Sequence, residues 1–171
     1  MDPVNLFEYE QRAQELLSRS AFDYFAGGAG DEITLRENRA AFERIRLLPR
    51  VAAGAGRVDL RTTVLSTSLP LPVLVAPTAF QRLAHADGEV ATARGAGALG
   101  CPMVVSTLCT RPLQDIAAAA SAPLWFQLYI YRDRGATAAL VGRAERLDCA
   151  PTTRAAPSST SPITAGVRST R

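Results

Sequence analysis

The residues equipped for chemistry stand at the ends of apolar runs. "LPVLVAPTAF" (71–80) carries a strand-type run, Val73 to Ala76, that stops at Pro77 and then offers Thr78 and the small Ala79. "PMVVST" (102–107) ends in Ser106 and Thr107, and "PLWFQLYI" (123–130) carries Gln127 and Tyr129. Strand side chains alternate faces, so Trp125, Gln127 and Tyr129 share one side and Phe126, Leu128 and Ile130 the other. In α/β proteins, ligands bind outside the carboxyl ends of strands. Hydroxyl, amide and phenol groups beside bare backbone suit a flat, hydrogen-bonding heterocycle there. Ser and Thr often end strands with no further role, so the case rests on three strand ends agreeing.

Other candidates carry less. "GGAGDE" (27–32) resembles a dinucleotide loop, but it lacks the third glycine and a preceding strand, and Asp31 and Glu32 would repel a phosphate. A turn with a positive-φ glycine accounts for it. His85, the single histidine, lies in the loop "QRLAHADGE" with only Asp87 near in sequence to orient it, which favours loop structure over catalysis. Cys101, Cys109 and Cys149 are odd in number and show no CxxC spacing, so neither a disulfide framework nor a metal site is expected.

The elements that must position these groups alternate. Asn5 with Glu8 makes a capping-box-like start, followed by a helical face of Phe7, Ala13, Leu16 and Leu17. A short aromatic turn of helix holds Phe22, Tyr24 and Phe25, and a second helix runs from Asp31 to about Ile45. Residues 48–72 read as extended segments with a small hairpin. From Val73 onward strand and helix alternate in units of about 25–30 residues, the pattern of a parallel sheet with crossover helices. In the first crossover helix Ala93 and Gly97, four apart, allow close packing. Pro112 starts the next helix, with a stripe of Leu113, Ile116, Ala117 and Ala120. Asp133 caps a third, carrying Leu140, Val141, Ala144 and Leu147. Both a (β/α)8 barrel and a doubly wound sheet fit. A fourth strand is due near residue 149 and does not arrive. The segment from Pro151 is Ser-, Thr- and Pro-rich and reads as disordered.

Composition narrows the class. No apolar run approaches the roughly 20 residues that span a bilayer. The acidic start "MDPVNLFEYEQ" is not a secretory signal, so a cytoplasmic location is expected. Three of the 19 basic residues follow Asp148, and the other 16 balance the 16 acidic ones. The folded part is thus near neutral, and the net charge of +3 is no argument for nucleic-acid binding. Every basic residue is Arg.

Together "AFDYFAGGAGDEITLRENRAAFERI", "VLVAPTAF", "HADGEVATARGAGALG", "VVST" and "PLWFQLYIYRDR" resemble the FMN-dependent 2-hydroxy acid oxidase and dehydrogenase family, which includes glycolate, lactate and mandelate oxidising enzymes. The likeness runs in order from about residue 5 to about residue 147, and "FQRLAHADGE" is similar to the hydroxymandelate oxidase branch. The resemblance implies the N-terminal part of a (β/α)8 barrel with extra N-terminal helices, and FMN as cofactor. It implies that the flavin lies against Pro77, Thr78 and Ala79 and is hydrogen-bonded by Ser106 and Gln127. Tyr24 matches a tyrosine that holds the substrate carboxylate, and Tyr129 one near the substrate oxygens. The partner is then a small 2-hydroxy acid, oxidised to a 2-oxo acid with two electrons passing to FMN. Family members are often homotetramers.

The family's base, cations and flavin-side charge come from a His, Arg residues and a Lys on later strands. The chain departs from the pattern after about Leu147, and no Lys or second His is present. The expectation is therefore an incomplete FMN-binding barrel domain over 1–148 and a disordered, out-of-frame tail over 149–171, with a chain inactive on its own. The alternative is a non-catalytic half-barrel that associates with a full-length paralogue or a separate C-terminal half.

Overall fold

The computed structural model describes residues 2–52, 54, 56 and 58–151. The expected disordered tail lies, from residue 152 onward, outside the described residues. The chain divides into two compact units, one of residues up to Leu60 together with Leu83–Ala86, the other of Arg61–Arg82 together with Asp87 onward.

The first unit is helical. Helix α1 (Leu6–Leu16) starts where Asn5 Oδ1 accepts the N–H groups of Phe7 and Glu8. The Glu8 carboxylate reaches back to Val4 N–H and Asn5 Nδ2, which closes the capping box. The expected apolar face is only partly covered: Ala13 and Leu17 are half-buried, while Phe7 and Leu16 are exposed. The Arg39 guanidinium lies 3.9 Å from the Phe7 ring centroid, a cation–π contact. Helix α2 (Arg19–Ala26) is capped by Ser18, and α3 spans Ile33–Arg44. Between them the glycine turn serves the fold. A Cβ on Gly28 would press on Leu35 at 3.0 Å, Gly30 has φ of 56°, and the Glu32 carboxylate accepts the Gly28 N–H. That carboxylate stands where a phosphate would have to bind, so the dinucleotide-loop alternative has no place here.

The second unit opens with an antiparallel hairpin, β1 (Thr62–Val64) and β2 (Thr67–Leu69). Its two-residue turn uses Leu65 and Ser66, both with left-handed φ (47° and 65°), in place of the Asn-Gly type of pair that suits such a turn.

The core of this unit is a parallel sheet: β3 (Met103–Val105), β4 (Leu124–Phe126) and β5 (Ala150–Pro151), in that order. The expected first strand, Val73–Ala76, joins it through one residue. Val75 bridges Met103, its N–H donating to the Pro102 carbonyl and its carbonyl accepting from Val104 N–H. The fourth strand, absent from the sequence pattern, is present. Ala150 and Pro151 pair with Trp125 and Phe126. Two residues, one of them proline, are too few to leave an apolar run.

Helices α4 (Glu89–Ala98), α5 (Leu113–Ala119) and α6 (Arg134–Glu145) follow in crossover positions. Asp133 caps α6 through Gly135 and Ala136 N–H, and Pro112 stands at the N-cap of α5. Met103, Val105, Leu124 and Phe126 pack with Val90, Ala93, Ala96, Leu113, Ile116 and Ala144 in one core. The next residues along each strand point the other way. Val104 and Trp125, with Ser106 and Gln127 just past the strand ends, thus share the face away from that core. Gly97 is a close-packing glycine, but its neighbour is Ser121 in the loop before β4.

Candidate functional site

Along β4 and its extension the second face opens stepwise. Trp125 is buried, Gln127 half-buried and Tyr129 exposed. Ser106, beside Gln127, is buried. The ladder continues one step past β4, where Gln127 N–H donates to the Val105 carbonyl at 2.8 Å. There Thr107 takes over. Its hydroxyl donates to the Gln127 carbonyl and accepts the Tyr129 N–H at 3.0 Å. A side chain replaces the backbone partner, which is why the regular strand ends at Phe126 and does not reach Ile130.

This fixes the Gln127 amide. Its Oε1 faces two donors, Ser106 Oγ and Thr107 N–H, each at a long 3.4 Å. Two donors identify the oxygen end, so the amide nitrogen is turned the other way. Among the described residues Gln127 Nε2 has no hydrogen-bond partner. The Ser106 hydroxyl also accepts the Leu108 N–H at 3.1 Å, which holds the turn after β3.

The segment after Val75 borders this pair. Phe80 N–H donates to the Leu108 carbonyl at 3.2 Å, joining the two strand-end loops. Pro77 and Thr78 are exposed and Ala79 is half-buried. Phe80 has a left-handed φ of 55°, uncommon for an aromatic residue. The structure thus brings Pro77, Thr78, Ala79, Ser106, Gln127 and Tyr129 to the same strand ends. Tyr24 belongs to the helical unit, on α2, half-exposed and edge-on to Phe25 with ring centroids 5.1 Å apart. His85 is exposed on its loop.

Sequence reasoning missed Glu89. In "HADGE" it reads as an ordinary acid in the first turn of a helix. It is completely buried, and its carboxylate accepts from Gln81 N–H, Thr110 N–H, Thr110 Oγ1 and Arg111 N–H. Burial alone would raise its pKa. The donors, led by Thr110 N–H, outweigh that and hold it below the ordinary carboxylate value. Burial instead pushes the Cys109 thiol up, and that of Cys149 up to about 11, which makes both poor nucleophiles. Among the described residues, no group of three His, Cys, Asp or Glu gathers as a metal site, and no helix is long and apolar enough to cross a membrane.

Comparison with known proteins gives these positions a setting. The family model described as FMN-dependent dehydrogenase matches residues 13–153, past the Leu147 limit that the sequence motifs suggest. The chain is 56% identical to an L-lactate oxidase of Nostoc sp. over 146 residues, 83% of this chain and 40% of that protein. It is 46% identical to glycolate oxidase 1 of Zea mays over 143 residues, 84% of this chain and 39% of that protein. Among solved structures, a lactate oxidase of Pediococcus acidilactici superposes with a TM-score of 0.82 at 37% identity, over 87% of this chain and 42% of that one. Mandelate oxidase with (S)-4-hydroxymandelic acid gives 0.81 at 40% identity, over 86% and 41%. The chain therefore spans about two fifths of the length of the relatives it matches.

Proposed function

Because the chain belongs to the FMN-dependent dehydrogenase family, we propose that it forms the flavin-holding first part of an enzyme that oxidises 2-hydroxy acids to 2-oxo acids. In this reading the parallel sheet is the opening segment of a (β/α)8 barrel, and its second face is the barrel interior. One observation carries the reading. Ser106 and Thr107 turn the Gln127 amide so that its nitrogen is unpartnered, at strand ends bordered by Pro77, Thr78 and Ala79. Small side chains and an outward N–H donor fit the polar edge and flat face of an isoalloxazine.

When bound, FMN supplies the two-electron acceptor of the reaction. This chain's residues would hold and orient. Pro77, Thr78 and Ala79 leave room for the ring, and Ser106 with Gln127 offers hydrogen bonds at its edge. Tyr129 would orient the substrate oxygens, and Tyr24 is the residue that the family resemblance assigns to the substrate carboxylate. With no Lys and a single His on an exposed loop, residues 1–148 hold the incomplete FMN domain and the 171-residue chain does not turn over by itself. A base and cations from outside these residues complete the centre.

Mixing tests this. Alone, the chain should oxidise lactate, glycolate and mandelate no faster than free FMN. Mixed with the remaining segment of a full-length relative, it should give a yellow, active complex. Turnover by the chain alone, or failure of the mixture to bind FMN, would overturn the proposal.

A further inference from the structure

Glu89 is a buried carboxylate whose partners among the described residues are backbone N–H groups and a hydroxyl, with no cation among them. Arg111, next to Thr110 in the loop after β3, sends its Nη2 to Asp115 instead, at 3.4 Å. Burying such a charge costs free energy unless every lone pair is used. Here Oε1 accepts from Thr110 N–H at 2.8 Å and Gln81 N–H at 3.3 Å, and it also lies 3.1 Å from Thr110 Oγ1, whose single proton is shared with Oε2. Oε2 accepts from Thr110 Oγ1 at 2.9 Å and Arg111 N–H at 3.1 Å.

The donors come from both strand-end loops: Gln81 follows Pro77–Phe80, and Thr110 and Arg111 follow Ser106–Leu108. The Gln81 side chain adds a second tie. Its Nε2 donates to the Thr78 carbonyl at 3.3 Å and its Oε1 accepts from Thr92 Oγ1 at 2.6 Å. Thr110 Oγ1 also accepts the Arg82 N–H at 3.2 Å. Phe80, held in its left-handed conformation, lies between Thr78 and Gln81. Strain of that kind persists only where its surroundings fix it.

We propose that Glu89 is a positioning residue, whose carboxylate locks the 77–81 and 108–111 loops together so that FMN meets a preformed strand-end surface. The flavin half of this statement rests on the reading given under Proposed function; the loop half does not.

The test uses the full chain and two variants, Glu89→Gln and Thr110→Val. Glu89→Gln keeps size but turns one acceptor into a donor facing N–H groups. Thr110→Val removes a hydroxyl and leaves the backbone donor. Amide hydrogen exchange at Gln81, Thr110 and Arg111 should quicken about tenfold or more in Glu89→Gln, and by less in Thr110→Val, as charge-assisted bonds are lost. Val105 and Ile116 should stay protected. FMN affinity, by quenching of flavin fluorescence, should fall about tenfold, and the visible band of the flavin that still binds should move toward that of free FMN. Unchanged exchange at the three amides in both variants overturns the lock. Faster exchange with unaltered flavin affinity and spectrum overturns the positioning role. If the unaltered chain binds no FMN, the flavin consequence falls, and the exchange result still judges the lock. If Glu89→Gln does not fold, Thr110→Val decides.

Discussion

Thr107 and Gln127, twenty residues apart and just past the ends of neighbouring parallel strands, are joined by the Thr107 hydroxyl, which donates to the Gln127 carbonyl and accepts the Tyr129 N–H. One side chain thereby satisfies two backbone groups that the ladder has released. Thr107→Val keeps the shape and removes both bonds. It should lower stability by about 0.5–1.5 kcal/mol, the net worth of a hydrogen bond whose backbone partners stay within reach of water, read as a lower urea midpoint with an unchanged slope. A variant as stable as the parent would show that the clamp is dispensable.

Two glycines of α4 should behave oppositely. At Gly97 an added Cβ would meet Ser121 Oγ and stand 3.0 Å from Ser121 N, whereas at Gly95 nothing lies within 4 Å. Gly97→Ala should destabilise by about 1–3 kcal/mol through overpacking. Gly95→Ala should stabilise by about 0.5–1 kcal/mol, since it only improves helix propensity. Thermal midpoints that move the same way would contradict the placement of this helix.

Glu89 gives the fold a dependence on acidity. Its folded pKa lies below the ordinary value of about 4.5. A depressed carboxylate contributes stability above its unfolded pKa and loses it as pH falls through the folded one. Stability should therefore be level in this respect above about pH 5 and decline below about 4.5. In Glu89→Gln the difference from the parent should shrink over that same range. A constant difference down to pH 3 would mean that Glu89 does not titrate as its hydrogen bonds require.

The strand-helix rhythm was legible because each apolar run is continuous, as strands covered on both faces tend to be. Ser106, Gln127 and Tyr129 were legible for a related reason, being polar groups at matching strand ends. Thr107 was visible as a residue but not as a clamp, because its partners lie twenty and more positions away. Glu89 was not legible at all. An acid in the first turn of a helix ordinarily faces water, and only the fold puts four donor groups around this one. The hairpin turn was obscured by Leu65 and Ser66 where glycine or asparagine would have marked it. Ala150–Pro151 borrows its strand character from Trp125 and Phe126. The apolar face on α1 was read correctly as a pattern, yet Phe7 and Leu16 stay exposed, since periodicity marks a face without saying what covers it.

The central claim is that Pro77–Ala79, Ser106 and Gln127 make up one side of a flavin site. The most direct measurement is FMN occupancy of a chimera in which residues 13–147 of this chain replace the matching segment of a full-length relative. The account predicts a yellow protein with about one FMN per chain. It also predicts that Gln127→Leu in the chimera loses about 1–3 kcal/mol of flavin binding, the cost of leaving a buried acceptor unsatisfied. A chimera that folds with native helix content but stays colourless, or holds FMN equally well with Leu at 127, would contradict it.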